Sequence, residues 1–200
     1  MYALVEDGNI TKFFAHPKGF VLNDNQYPAD VFTKWSNEER EAIGIYEVIT
    51  DSTNKKDEQY YINTNEQFTF ADGQVTRSWG TATAKQLEDR NATDENGVEL
   101  NPVVVIKGLK SQKKDIIKQQ ASGLLEQTDW YNHKALDDDT YTIPDNIKTY
   151  RANVRAKSNE METQIDACTN VDELKALYEY TEQEDGSITR PLAEFPTLEI

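Results

Sequence analysis

Residues 107–125, Lys107-Gly108-Leu109-Lys110-Ser111-Gln112-Lys113-Lys114-Asp115-Ile116-Ile117-Lys118-Gln119-Gln120-Ala121-Ser122-Gly123-Leu124-Leu125, decide how the chain is organised. Leu109, Ile116, Ile117, Ala121, Leu124 and Leu125 share one face at helical spacing, while Lys110, Lys114 and Lys118 repeat every four residues on another. The pattern predicts an amphipathic helix of about 17 residues. Downstream, Pro144 and Asp145 suit the first turn of a second long helix, because proline needs no N–H there and a carboxylate complements the dipole. Its stripe of Ile147, Tyr150, Val154, Met161, Ile165 and Cys168 is a near-heptad seam that requires another helix against it. A short third helix begins at Asn170, a capping residue with Glu173 three positions on, and presents Val171, Leu174, Leu177 and Tyr178.

Upstream the apolar period falls from helical spacing to two. Tyr2-Ala3-Leu4-Val5 and Ile10-Thr11-Lys12-Phe13-Phe14 flank Asp7-Gly8, a hairpin signal because Gly tolerates positive φ. Residues 28–32 and 36–44 read as short helical turns, the second with a capping box of Ser36 and Glu39 and a terminating Gly44. Ile45–Ile49 is a strand. Tyr60–Ile62, Gln67–Phe70 and Gln74–Trp79 then alternate in character and read as a meander. The expected fold is therefore α+β: a small antiparallel β domain over 1–80, a polar linker over 81–106, a helical hairpin with a short third helix over 107–178, and an extended acidic arm over 179–200.

Charge narrows the partners. With 21 Lys and Arg against 36 Asp and Glu, the net charge of −15 repels phosphate backbones and anionic headgroups, so nucleic acid and membrane surfaces are disfavoured. The longest plain apolar run, Val103-Val104-Val105-Ile106, is far below the roughly 20 residues of a membrane helix. The first residues show neither a basic nor an apolar leader region, so export by a signal peptide is not expected. One cysteine, Cys168, excludes an internal disulfide.

Reactive groups are sparse. The glycines are scattered singly and form no phosphate cradle, and His16 and His133 lack a recognisable partner for a nucleophile. Cys168 falls on the apolar stripe, where an inert buried thiol is expected. Asp137-Asp138-Asp139 lacks the spacers and glycine of a calcium loop and reads as a solvated turn. Neither a metal nor a cofactor is expected. Acidic residues are numerous enough to supply a pair for hydrolysis, but none can be singled out. The basic stripe of Lys107, Lys110, Lys113, Lys114 and Lys118, with Lys148, Arg151 and Arg155, reads as a solvated face paired with acidic loops or with the acidic tail of a neighbouring copy. Trp35, Trp79 and Trp130 read as core filling, with a protein-docking anchor as the alternative. The arm carries six carboxylates against Arg190 alone. Such a segment does not order itself, so a neighbouring subunit is expected to clamp it through Ile188, Leu192, Phe195 and Leu198.

Leu124-Leu125-Glu126-Gln127-Thr128-Asp129-Trp130-Tyr131, then Ile143-Pro144 and Tyr150-Arg151-Ala152-Asn153-Val154-Arg155, resembles the C-terminal region of bacteriophage tail assembly chaperone and tail fibre assembly proteins. Asn170-Val171-Asp172-Glu173-Leu174 is similar to that family's short closing helix. Gln26-Tyr27-Pro28-Ala29 and the run from Trp35-Ser36 to Gly44-Ile45 resemble small modules on the same kind of protein. The acidic loop and the long tail after Tyr178 depart from the pattern.

The resemblance implies a non-enzymatic role in a phage tail. The chain would be either a subunit kept in the virion at the baseplate or fibre attachment, or a fibre assembly chaperone acting in the host cytoplasm and not retained. Its partners would be other tail proteins in a multi-subunit assembly. Trp130, Arg151, Arg155 and the arm residues Ile188, Leu192, Phe195 and Leu198 are the expected contacts. A small phage-encoded hydrolase is the alternative from another class.

Overall fold

A computed structural model of the chain describes residues 1–198 and divides it into two compact units, Met1–Ala84 and the chain from Lys85 onward. The α+β expectation holds.

In the first unit, strands β1 (Tyr2–Glu6), β2 (Asn9–Phe14), β5 (Ile45–Thr50), β7 (Gln67–Ala71) and β8 (Gln74–Ser78) form one sheet in the order β2-β1-β5-β8-β7. Two of its hairpins turn on Asp7-Gly8 and Asp72-Gly73, all four residues at positive φ, the primed turn whose twist matches that of the strands. A third hairpin joins β3 (Phe20–Leu22) to β4 (Asn25–Tyr27) through Asn23-Asp24 at φ 46° and 59°. It escapes a search for Asn-Gly or Asp-Gly because Asn and Asp here take the left-handed conformation themselves.

The sheet is mixed rather than antiparallel throughout, since β5 and β8 run parallel (Val48↔Val75, Ile49↔Thr76, Thr50↔Arg77). The meander reading of residues 60–79 fails at β6 (Tyr61–Ile62), which pairs with β9 (Thr83–Ala84) rather than with β7. That leaves β8 free to lie beside β5, and Asp51 N–H extends the match by donating to Arg77 O (2.8 Å).

One sheet face buries Leu4, Phe14, Phe20, Val31, Phe32 and Ile45, with Tyr2, Leu22, Tyr27, Trp35 and Ile43 packed around them. Each buried phenylalanine contributes about 1.5–3 kcal/mol relative to exposure. Ala3, Val5 and Val75 form a smaller cluster with Ile10, Tyr46, Val48 and Phe70. The short helix α1 (Asn37–Glu41) starts on the expected capping box of Ser36 and Glu39. Gly44 at φ 79° ends that segment, and a Cβ there would lie 2.6 Å from Val5 O.

In the second unit, α2 (Leu109–Glu126), α4 (Asp145–Ala167) and α5 (Val171–Ala176) appear where the periodicity places them. Asn170 caps α5 by accepting Glu173 N–H (2.9 Å), and its side-chain amide donates to Glu173 (2.8 Å). A further helix, α3 (Asp129–Asp137), fills the connection read from sequence as a loop around His133. It buries no side chain, so it carries no apolar stripe by which to be recognised.

Much of the stretch read as a linker is folded onto α2. Leu109 N–H donates to Gln86 O (2.9 Å), Lys110 N–H to Leu87 O (3.1 Å) and Gly108 N–H to Asp89 Oδ1 (2.8 Å). Gly108 has no side chain with which to cap the helix, and Asp89 performs that task from 19 positions upstream while also accepting the Ser111 hydroxyl (2.9 Å). A Cβ on Gly108 would run into the Glu88 carbonyl, so only glycine lets the two segments approach this closely. These bonds hold the Asp89 carboxyl below its usual range.

Candidate functional site

The sequence runs that carry the resemblance meet at the turn between α2 and α3. Arg151, on α4 and only 8% exposed, aims Nη1 at Leu125 O (2.7 Å), Thr128 Oγ1 (2.7 Å) and Asp129 Oδ1 (2.8 Å). Thr128 is fully buried and does not cap α3, since its hydroxyl donates back to Leu125 O (2.9 Å). One guanidinium nitrogen therefore gathers a helix-end carbonyl, a hydroxyl and a carboxylate, charge-assisted contacts that the long arginine side chain delivers into the turn. Arg151 is thus an internal lock and not the partner contact expected from sequence. Arg155, one turn further on, remains exposed, with a long bond to Arg151 O (3.3 Å).

Trp130 corrects the core-filling expectation. It is 52% exposed and its ring lies on Tyr131 with centroids 4.0 Å apart. The hairpin corner is held by Arg151 and Thr128, which leaves the indole free of that task. The docking-anchor alternative is the one compatible with its position.

The basic stripe is split: Lys107, Lys118, Lys148 and Arg155 are exposed as expected of a solvated face, whereas Lys110 and Arg151 are buried and Lys113 and Lys114 half-buried. Lys114 Nζ reaches Asp166 Oδ1 (2.7 Å), Lys118 reaches Glu162 (3.3 Å), and buried Lys110 bonds Glu88 (2.5 Å) and the Asp166 carbonyl (3.1 Å) near the end of α4. As the α2 numbers rise the α4 numbers fall, so the helices are antiparallel and bridged by charges from this same chain. The bond to Asp166 pushes the Lys114 ammonium upward in pKa. Lys113 is occupied as well, over the Tyr178 ring at 4.8 Å.

The arm departs furthest from expectation. It is neither extended nor left for a neighbour to clamp. Strands β12 (Thr181–Glu182) and β13 (Ile188–Thr189) make a small hairpin, and the chain then returns along α4. The Gln164 side chain holds it from both sides, donating to Pro191 O (2.9 Å) and accepting Ala193 N–H (3.0 Å). Leu192, 2% exposed, donates its N–H to Leu177 O (2.9 Å). Phe195 and Leu198 pack on the Ala121, Tyr150 and Val154 cluster with Leu124 and Leu125. The apolar residues of the arm are visible in sequence, but their target is not, because the apolar stripes of α2 and α4 already satisfy each other at helical spacing. Only Ile188, 69% exposed, keeps the accessibility of a partner contact; the arm's last two residues, Glu199 and Ile200, lie outside the described residues.

Several carboxylates are tied up in local hydrogen bonds. Asp138 takes the N–H (2.9 Å) and hydroxyl (2.5 Å) of Thr140, which lowers its pKa and makes the acidic loop an Asx turn. Asp51, Asp94, Glu173 and Asp185 are lowered by hydrogen bonds of the same local kind. Burial pushes the Cys168 thiol up. Among the described residues no group of three or more His, Cys, Asp or Glu is arranged to hold a metal ion, and no helix is long and apolar enough to cross a membrane.

Compared with known proteins, the chain matches no family model, no curated sequence and no solved structure.

Proposed function

We propose that this chain is a non-enzymatic bacteriophage tail-associated protein that binds other tail proteins, retained at the baseplate or fibre attachment, with a fibre assembly chaperone as the second reading. The observation that carries the proposal is the Arg151 lock. The Leu-Leu-x-x-Thr-Asp-Trp run and the Tyr-Arg run, 26 residues apart at Leu125 and Arg151, act as one structural device that leaves Trp130 outward. A half-exposed indole tilted against Tyr131 at a hydrogen-bonded corner is a low-entropy contact residue of the type that dominates protein interfaces. Arg155 and the β12–β13 hairpin bearing Ile188 are the further contact elements. The arm's own docking removes the argument that a neighbour must order it, which brings the chaperone reading closer to the first.

Mass spectrometry of gradient-purified particles from a phage encoding this chain separates the readings. Stoichiometric peptides in the particle support a retained subunit. Absence from the particle together with loss of fibres on deletion supports a chaperone. Absence with normal infectious tails on deletion overturns both.

A further inference from the structure

Residues 90–106 form a long hairpin: β10 (Arg90–Asn91) pairs with β11 (Val105–Ile106), a bridge links Thr93 to Glu99, and Ala92 N–H donates to Val104 O (2.7 Å). Its tip is fixed by Asp94, whose Oδ1 accepts the N–H of both Asn96 and Val98 (2.9 Å each), with Gly97 at φ 80°. Its base is bolted to α2 through Gln86, Leu87 and Asp89. This rigid element carries aliphatic residues that water reaches: Val98, Leu100, Val103, Val104, Val105 and Ile106 are 37–62% exposed. Consecutive strand residues point to opposite faces, so exposure of all four from 103 to 106 leaves both faces open.

The edge is open too. With Arg90 opposite Ile106 and Asn91 opposite Val105, the Ala92-to-Val104 bond directs alternate backbone groups to β10 and turns the N–H and C=O of Val105 outward. Among the described residues β11 has β10 as its one neighbour in the sheet. Natural edges are blunted by charge, proline or covering elements, yet between Pro102 and Lys107 this edge is purely aliphatic. Lys107 is itself engaged by Asp115 (2.5 Å).

We propose that the open edge of β11, with Val103 and Val104 leading into it, takes an added β-strand from a different protein, an extended apolar segment with basic flanks. Strand addition supplies backbone bonds to Val105 and apolar contact on both faces, and a pre-ordered edge lowers the ordering cost. The choice of basic flanks follows from charge. Residues 88–107 hold Glu88, Asp89, Asp94, Glu95 and Glu99 against Arg90 and Lys107, and Glu95 and Glu99 are exposed with no ion pair among the described residues. A chain of net charge −15 repels a second copy of itself at the same edge. The inference uses residues apart from the Trp130 corner and stands whether or not the protein works in a phage tail.

The test uses the full-length 15N-labelled chain and three synthetic peptides: acetyl-Lys-Lys-Val-Thr-Val-Thr-Val-Lys-Lys-amide, the same peptide N-methylated at every valine and threonine so that both of its edges are blocked, and a version with Glu for every Lys. The expected result is amide shift changes confined to residues 88–109 with the first peptide, and affinity at least tenfold weaker for each of the other two. Val105→Pro is expected to weaken binding at least tenfold without loss of fold, because the Val105 N–H is not used in the ladder; Val105→Lys, which keeps that N–H, blunts the edge by charge if the proline variant fails to fold. Absence of shifts at millimolar peptide, equal binding by the N-methylated peptide, or shifts elsewhere overturns the proposal. Sedimentation showing a dimer that either Val105 variant dissolves overturns the assignment to a foreign strand in favour of a second copy.

Discussion

In the sheet unit, Phe14, Phe20 and Phe32 bury their rings against one another at centroid distances of 4.9–5.6 Å, and the buried guanidinium of Arg40 lies over the Tyr2 ring beside them. In the helical unit the seam between α2 and α4 is shared: Ile117 and Ala121 alternate with lysines that reach Asp166 and Glu162, and the largest polar group, Arg151, is buried at its end. The first unit obtains its stability from area removed from water. The second, with fewer aromatic side chains in its interior, adds charge-assisted bonds and a returning arm to cover what two helices leave open. The difference teaches why the same low apolar content gives one region whose interior is visible from pattern and another whose lysines mislead.

The sharpest way to break the contrast is Phe14→Ala. It is expected to cost about 3–5 kcal/mol in chemical denaturation, the range for a deleted core aromatic, with the helical far-ultraviolet signal retained through the first transition. A loss below about 1 kcal/mol would show that the aromatic cluster is not the core of its unit. Next, Leu192→Ala should cost about 2–4 kcal/mol and speed proteolysis after Tyr178, because a peripheral site collapses only partly around the cavity. Equal protease resistance would mean that the arm is held without its buried leucine.

Arg151→Ala should cost about 2–3 kcal/mol by removing the charged donor shared by Thr128 Oγ1, the Leu125 carbonyl and Asp129, with Arg151→Lys recovering little because its side chain is one atom shorter and its ammonium stops short of them. Full recovery by lysine would reduce the lock to a point charge. Lys118→Ala should cost only about 0.2–1 kcal/mol, since the lysine itself is largely in water, and the effect should fade in high salt. The smallest change belongs to Trp130→Ala, within about 1 kcal/mol of the parent by thermal melt, because half of the indole is already solvated. A loss of 3 kcal/mol would place Trp130 back in the interior, and an unchanged melt with lost partner binding would sharpen its role as an anchor.

The Arg151 lock was only half legible. Thr128, Asp129 and Arg151 could be picked out as residues, but whether a guanidinium points to water or to a helix end depends on how two helices approach. The Val103–Ile106 run is conspicuous in sequence, though only as an apolar stretch too short for a membrane. Nothing in four aliphatic residues says whether a strand is covered.

Periodicity and capping chemistry were enough to place α2, α4, α5, the Asp-Gly hairpins and the α+β class, because these are local properties written within a few turns of chain. Contacts between distant residues decided the rest: the parallel pairing of β5 with β8, the lysines turned onto α4, the burial of Arg151 and the return of the arm over Tyr150 and Val154. Each is a choice among partners of similar chemistry, and only the geometry of the assembled chain brings one partner within reach while shutting out the others.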